Sequence, residues 1–204
     1  MPFWKADTRG YSLIELLVVV GITAVLAAMA VPMTSNAIGD YRLTGDARSL
    51  TSALSLAKMR AASDFSQARL YIDLAGRGFH VETWQKTGVP GWVTEGGSTS
   101  LSTNVTFGFG TVTAPPPSSQ VVMAQSVPCV TTAGANIANT ACVLFNSRGI
   151  PVDPSGAPPN VGAPTGSDAL YITDGTAVYG LTLSATGLSK LYRTNSNVTA
   201  WALQ

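Results

Sequence analysis

The residue types that usually carry catalysis are few and scattered in this sequence. His80 is the single histidine among 204 residues, and no serine, cysteine or aspartate motif accompanies it as a triad would require. The acidic residues are dispersed, and no HExxH, CxxC or glycine-rich phosphate-loop pattern is present. We therefore expect His80 to be structural or solvated, and we predict neither enzymatic activity nor a bound metal or other cofactor.

The position of one glutamate is unusual. Glu15 is the only charged residue between positions 12 and 31, in the stretch RGYSLIELLVVVGITAVLAAMAVP. Twenty helical residues span about 30 Å, which is the thickness of the hydrocarbon layer of a membrane. A carboxylate inside that layer costs roughly 2.5–3.5 kcal/mol, so Glu15 is expected to have a partner.

The charges that flank this segment predict its orientation. Lys5 and Arg9 precede it, whereas the next basic residue is Arg42. Positive residues stay on the cytoplasmic side, so residues 33–204 are predicted to lie outside the cytoplasm. Only 11% of the residues are charged and the net charge is +1, which gives no general argument for a nucleic-acid or acidic partner.

The same segment resembles the signal of type IV pilins and type II secretion pseudopilins. The resemblance rests on a short basic leader that ends in Gly10, on Tyr11-Ser-Leu-Ile-Glu15 at the start of the helix, and on Pro32 at its twenty-second position after the leader. It implies that a prepilin peptidase cuts between Gly10 and Tyr11 and methylates the new amine. Other pilin or pseudopilin subunits and an inner-membrane assembly platform are the implied partners, with membrane lipid before assembly. The implied location is the bacterial inner membrane, crossed once, with the N-terminus cytoplasmic and the head periplasmic.

Within this resemblance Glu15 and Pro32 have physical roles. The amine created at Tyr11 is positively charged, and Glu15 can pair with that amine on an adjacent subunit. The pairing sets the register of neighbouring helices, because an uncompensated buried charge costs several kcal/mol. Pro32 removes a backbone hydrogen bond and is predicted to kink the helix or loosen the preceding turn.

Two other interpretations of the segment remain open. Ala28-Met29-Ala30 before Val31 is an acceptable cleavage site for an ordinary secretory signal peptide. A plain single-span membrane anchor is the second. The apolar run is longer than the usual 7–15 residues of a signal peptide, and its glutamate is also atypical of one.

Beyond Pro32 the sequence predicts an α+β head with an antiparallel sheet. Apolar residues at spacings of three and four predict an amphipathic helix over residues 33–64, with its charged residues mostly solvated. Period-two runs around a Gly-Arg-Gly turn predict a hairpin over residues 68–85. Further strands are predicted over 104–112, 120–127 and 141–149 and in the closing segment to residue 193, with a Pro/Gly-rich loop over 151–166. The predicted division is a leader (1–10), a membrane or filament-core helix (11–32), the helix of the head (33–64) and a β-rich head (65–204).

This layout resembles the GspH/FimT group of minor pilins and pseudopilins. The resemblance rests on a helix that runs directly into a hairpin, on Phe-Asn-Ser-Arg-Gly-Ile-Pro at 145–151, and on the late hairpin at 179–193. It implies a subunit at or near the initiating tip of a filament. A DNA-capturing minor pilin and a major structural pilin are the alternatives. The basic turn of DNA-capturing relatives lacks both of its arginines here, and Lys190 and Arg193 offer only a weak nucleic-acid contact.

The two cysteines and the tryptophans complete the set of candidate residues. Cys129 and Cys142 are the only cysteines, and a head outside the cytoplasm favours a disulfide between them. For a loop of roughly 14 residues such a bond is worth about 3 kcal/mol.

Trp84, Trp92 and Trp201 lie in or beside predicted strands or in the tail. Most of them are expected in the core, although exposed tryptophans could serve a partner interface.

Overall fold

The one helix of the described residues begins at Leu13, shortly after the predicted cleavage site. The computed structural model describes residues 10–158, 162–198 and 200–204, except for the side chains of residues 31–33, 35 and 36. Helix α1 (Leu13–Ser63) runs unbroken through position 32. The predicted leader, apart from Gly10, lies outside the described residues. Two compact units are present, Met1–Asp40 and Tyr41–Gln204.

The second unit contains two antiparallel sheets, which have ten strands in the described part of the chain. One sheet consists of β1 (Ala68–Asp73), β2 (Gly78–Gln85), β3 (Gly91–Ser100), β5 (Thr140–Phe145) and β6 (Pro151–Val152), in the order β3-β2-β1-β5-β6. The other consists of β4 (Thr106–Phe107), β7 (Asp168–Thr173), β8 (Ala177–Leu183), β9 (Ser189–Asn195) and β10 (Ala202–Leu203), in the order β10-β9-β8-β7-β4. We call them the first and the second sheet.

Both sheets pack against one face of α1 and form the main core. The six apolar helix positions that recur at spacings of three and four are all buried, with 2% exposure at most; they are Leu43, Ala47, Leu50, Leu54, Ala57 and Ala61. Alternate residues of β1, β5, β7 and β8 meet them, as the period of two in a strand requires. The predicted α+β class with an antiparallel sheet head is therefore confirmed.

Charged residues of α1 connect the helix to both sheets. These contacts were not predicted, because the charges of the helix were expected to be mostly solvated. The Asp46 carboxylate accepts hydrogen bonds from the backbone N–H (2.8 Å) and the hydroxyl (3.0 Å) of Ser102. Lys58 Nζ donates to the carbonyl of Gly187 at 2.9 Å, and Arg60 pairs with Glu95. The helix is thus fixed along its flanks by polar contacts as well as by its apolar face.

Several strands differ from the prediction. The hairpin over residues 68–85 and the closing strands are present, but the predicted strand over 104–112 shrinks to β4. The segment 120–127, predicted as a strand, is irregular. The backbone N–H and C=O of Tyr171 are hydrogen-bonded there by the side-chain amide of Gln125 instead of by the backbone of a neighbouring strand. Strand β3 was missed, since GWVTEGGSTS lacks apolar alternation. The predicted loop over 151–166 starts with β6, and Val152 bridges to Pro164.

Candidate functional site

The predicted cleavage point lies ahead of the helix, in chain without regular secondary structure. Gly10 and Tyr11 are exposed, and the side chain of Tyr11 is 85% accessible. The first helical hydrogen bond of the segment runs from the backbone N–H of Leu16 to the carbonyl of Ser12 at 3.1 Å. A peptide bond that is exposed and outside regular secondary structure is accessible to a protease. Cleavage between Gly10 and Tyr11 stays a prediction.

Glu15 lies in the first turn of α1, surrounded by exposed apolar side chains. A carboxylate at this position is favoured by the partial positive charge of the helix N-terminus. The eighteen residues Leu13–Ala30 are long and apolar enough to cross a membrane, and none of them is buried. Exposed leucine, isoleucine and valine side chains over such a length require lipid or neighbouring helices as surroundings. Glu15 would then be the one ionisable group within those surroundings.

The backbone at Pro32 is helical. Proline has no N–H to donate, so the helix continues there with one main-chain hydrogen bond fewer. The side chain of Pro32 lies outside the described residues. The predicted loosening of the helix at this position stays a prediction.

The two cysteines form the predicted disulfide. Cys129 and Cys142 are bonded, with their Cα atoms 4.9 Å apart, and both are fully buried. Cys142 belongs to β5 and lies opposite Tyr71 of β1. The bond therefore attaches the loop 129–142 to the face of the first sheet that points away from α1. The cysteines have a structural role here.

This outer face carries a buried arginine under the disulfide loop. The guanidinium of Arg69 lies 2.5 Å from the carboxylate of Glu82 and donates to the carbonyl of Val130 at 2.6 Å. Its central carbon is 4.0 Å from the centre of the Trp92 ring and 5.5 Å from that of Tyr71. Burial lowers the pKa of Arg69 and the carboxylate of Glu82 opposes that shift. The cluster is a charged pair enclosed by aromatic rings and a loop carbonyl.

His80 belongs to the edge of the same cluster. Its ring stacks on Tyr71, with the ring centres 4.8 Å apart, and its Nε2 lies 3.2 Å from the carboxylate of Glu82. Burial raises the pKa of the Tyr71 hydroxyl, and the charge of Glu82 adds to that effect. Each contact of His80 is a packing or hydrogen-bonding contact of the sheet, as expected for a structural histidine.

The structure separates Lys190 and Arg193, which were the candidate nucleic-acid contacts. They are three residues apart on β9, so their side chains leave opposite faces of the second sheet. Arg193 lies 5.8 Å from the ring centre of Tyr179, while Lys190 is exposed. A groove of about 690 Å³ between α1 and β9 places Lys190 near Arg48 instead. The sequence did not indicate Arg48, because it is distant along the chain.

The motifs at 145–151 and 179–193, on which the GspH/FimT resemblance rests, meet at one point, and this contact was not predicted. Gly149 follows Arg148 in the first motif and Gly187 precedes Leu188 in the second. The aliphatic chain of Lys58 passes both glycines, and a Cβ at Gly149 would lie 3.2 Å from Lys58 Cγ. Both glycines have positive φ angles, 70° and 75°. The helix and both sheets therefore meet at Lys58, beside two turns whose positive φ angles favour glycine.

The described tryptophans and acidic residues of the head are dispersed. Trp84 is buried, whereas Trp92 and Trp201 are partly exposed, and Trp201 donates its ring N–H to the carbonyl of Ala114 at 2.8 Å. Among the described residues there is no group of three or more histidine, cysteine or acidic side chains that could hold a metal ion. Among the described residues, the clearest functional candidate is thus the N-terminal segment from Gly10 to Ala30.

Comparison with known proteins gives a match in the same N-terminal segment. The model of the family described as the prokaryotic N-terminal methylation motif matches residues 5–31. The chain thus carries a prepilin signal of the type IV pilin kind, which indicates processing by a prepilin peptidase and assembly with other pilins. This signal and the apolar helix are consistent with membrane anchoring. The comparisons with curated proteins and with solved structures gave no match.

Proposed function

We propose that this chain is a minor pilin or pseudopilin of the GspH/FimT type. In this proposal it assembles through its N-terminal helix into a type IV pilus or a type II secretion pseudopilus, at or near the initiating tip. The observation that carries the proposal is the methylation motif over residues 5–31, which coincides with a helix whose residues Leu13–Ala30 are all exposed. Such a helix is a membrane span before assembly and a packing surface after it.

The proposed division of the chain follows its chemistry. Residues 1–10 are the leader, 11–32 the membrane and filament-core helix, 33–64 the helix of the head and 65–204 the β-rich head. The N-terminus is cytoplasmic and the head periplasmic, where a disulfide such as Cys129–Cys142 persists. The subunit acts by assembly, without chemical turnover.

Two features of the head support the GspH/FimT type. Helix α1 leads into the β1–β2 hairpin after only four residues, as the resemblance implied. The two motifs at 145–151 and 179–193 converge on Lys58. Segments that are far apart in sequence but meet at one helix residue are parts of one structural unit.

Processing is the first test of the proposal. The intact mass of the membrane-extracted protein is expected to equal that of a chain that starts at N-methylated Tyr11. The Gly10→Leu variant is the control, and it should keep the leader because the peptide bond no longer follows a glycine. A mature chain that starts at Val31 would instead identify an ordinary secreted protein.

Assembly through Glu15 is the second test. Glu15→Leu should insert in the membrane at least as well as wild type, because a costly charge has been removed. Its incorporation into filaments should fall, because the amine of the adjacent Tyr11 loses its counter-charge. The measurement is co-purification with the other subunits at matched membrane levels, with Thr23→Leu as a control that changes the same helix without changing its charge. Equal incorporation of both variants would show that Glu15 does not set the register.

A further inference from the structure

Strand β3 forms a long open edge of the first sheet. It has ten residues, it is the terminal strand in the sheet order, and none of its residues is buried. The terminal strands β4, β6 and β10 of the described chain have two residues each. The unpaired backbone of a long edge strand is a ready template for another strand.

Two other edges are covered by the chain itself. Beyond β4, the amide of Gln125 binds both backbone groups of Tyr171, and the backbone N–H of Ser126 donates to the carbonyl of Ala169 at 2.9 Å. Beyond the short β6, Val152 bridges to Pro164. Strand β3 lacks such a cover within the described residues.

The register shows which groups of β3 point outward. The backbone N–H of Trp84 donates to the carbonyl of Gln67, on the side of β1. Neighbouring residues of a strand point their backbone groups to opposite sides, so Thr83 points towards β3 and pairs with Val93. On β3 the N–H and C=O groups of Trp92 and Thr94 must therefore face away from the sheet.

The first half of this edge, up to Glu95, lacks lysine, proline and a bulge, which are usual protections of an edge strand. The sequence GWVTEGGSTS contains no lysine, arginine or proline. Its one charge, Glu95, is already paired with Arg60. The pairing with β2 becomes irregular after Glu95, where Gly96 has a φ of 72°. The regular part of the open edge is therefore Gly91–Glu95.

A cavity lies at the start of this regular part. It has a volume of about 470 Å³ and is lined by Trp84 and Val93, with Asp64 and Lys86 also at its wall. Lys86 already donates to the carbonyl of Phe65. Added strands obtain affinity from the backbone and specificity from pockets of this kind, which accept alternate side chains.

We propose that the β3 edge binds an extended, uncharged segment of a neighbouring, different subunit as an additional strand. Its backbone pairs with Trp92 and Thr94, and one of its apolar side chains fills the cavity beside Val93. The proposal rests on the proposed function, because it assumes neighbouring subunits in a filament. It adds a contact of the head to the contacts of the N-terminal helix.

A second copy of this chain fits the edge less well. The symmetric antiparallel pair that uses both Trp92 and Thr94 is centred on Val93. In that register Glu95 of the second copy lies opposite Gly91, at the end of the strand where Asp64 lines the cavity. Glu95 of the second copy brings its ion pair with Arg60 to that end of the strand, and enclosing these charges in an interface costs desolvation energy, whereas an uncharged segment has no such cost.

Amide hydrogen exchange tests the proposed pairing directly. The full-length chain is compared in two states, as the detergent-extracted unassembled subunit and in sheared filaments. The amide of Val93 is expected to be protected in both states, because it faces β2. The amides of Trp92 and Thr94 should exchange fast in the subunit and at least about tenfold more slowly in the filament. Fast exchange at both positions in the filament would overturn the proposal.

A matched pair of variants tests the same edge through assembly. Thr94→Pro removes the outward N–H without breaking the pairing with β2, whereas Thr94→Ala removes only the side chain. Incorporation of the proline variant should fall about tenfold, which corresponds to one lost hydrogen bond, and that of the alanine variant should stay at the wild-type level. Equal incorporation of the two variants would overturn the proposal.

Two controls separate the possible failures. If the unfolding temperature of Thr94→Pro is lower than that of wild type, its loss of incorporation could come from misfolding. In that case the hydrogen exchange of the wild-type chain decides whether the edge contact exists. Loss of incorporation in Glu15→Leu together with normal incorporation of Thr94→Pro would reject the edge contact and retain the proposed function. Sedimentation of the solubilised wild-type chain as a dimer that Thr94→Pro abolishes would identify a second copy as the occupant, and the proposal of a different subunit would be wrong.

Discussion

The ammonium group of Lys58 donates a hydrogen bond of 2.9 Å to the carbonyl of Gly187, so one residue of α1 fixes the turn between β8 and β9. The carbonyl of Gly149, from the loop after β5, lies against the same turn. Each sheet thus contributes one glycine turn to the lysine. Because these turns come from different sheets, Lys58 couples the two sheets to α1.

Replacement of Gly187 by alanine is predicted to destabilise the head. A Cβ there would lie 2.7 Å from the carbonyl oxygen of Gly149, and φ is 75°. Left-handed strain and the clash together should lower the free energy of unfolding by about 2–4 kcal/mol. Gly175→Ala is the control, since φ is 91° but nothing lies within 4 Å of its Cβ. Chemical denaturation of the full-length chain in detergent measures both, and an equal loss in both variants would refute the role of the contact.

The disulfide is predicted to stabilise the outer face of the first sheet. Reduction of Cys129–Cys142 should lower the free energy of unfolding by about 3 kcal/mol, because it frees a loop of roughly 14 residues in the unfolded chain. Unfolding of the full-length protein with and without reductant measures this effect. The variant with both cysteines changed to alanine should be insensitive to reductant. Ready alkylation of both thiols in the native, unreduced protein would contradict the bond.

Two aspartates at the ends of β7 are predicted to have opposite effects on stability as pH changes. Burial raises the pKa of Asp168, with Asp153 adding to the shift and a hydrogen bond from Thr165 opposing it. A raised pKa means that the folded state holds the proton more tightly. The contribution of Asp168 is therefore fully favourable below its unfolded pKa of about 3.9 and is lost as pH rises through its folded pKa. Asp168→Asn should equal or exceed wild type in stability at pH 7, and this advantage should shrink in acid.

Asp174 is predicted to behave in the reverse way. Burial tends to raise its pKa, but hydrogen bonds from Ala177 and Thr176 outweigh that effect and lower it. Its contribution is present above the unfolded pKa of about 3.9 and is lost as pH falls through the lower folded pKa. Asp174→Asn should cost up to about 1 kcal/mol at pH 7, with the deficit closing in strong acid. Thermal unfolding of both variants from pH 2.5 to 7 checks the signs, and parallel curves for the two would contradict this assignment.

The sequence predicted the helix and the hairpins well because their signals are local. The six buried positions from Leu43 to Ala61 follow the helical period, and β1 and β2 follow the period of two around a glycine turn. Glu15 stood out for a similar reason, since a single charge in an apolar run is visible without a structure. These features depend on spacings of a few residues, which a sequence shows directly.

Features that depend on distant pairs could not be predicted in this way. Strand β3 has no apolar alternation, and it is a strand because β2 offers it hydrogen bonds. The segment around Gln125 was predicted as a strand from its valines, yet a side-chain amide replaces the main chain there. No local sequence signal marks Arg69 as buried, yet it lies under the disulfide loop with 3% exposure. Each of these outcomes is decided by a partner 40 or more residues away or by a neighbouring strand.

The buried charge of Arg69 provides the last prediction. Arg69→Met should lower the free energy of unfolding by about 3–5 kcal/mol, because it leaves the carboxylate of Glu82 buried without its main partner and the carbonyl of Val130 without its donor. The double variant Arg69→Met/Glu82→Leu should recover a large part of that loss, since no unpaired charge remains. Arg77→Met is the control for removal of an exposed arginine and should change stability by no more than about 0.5 kcal/mol. Denaturation of wild type, Arg69→Met, Glu82→Leu and the double variant, all full-length, gives the coupling energy between Arg69 and Glu82. If the losses of the two single variants simply add up in the double variant, the coupling energy is zero. That result would show that the two charges do not depend on each other.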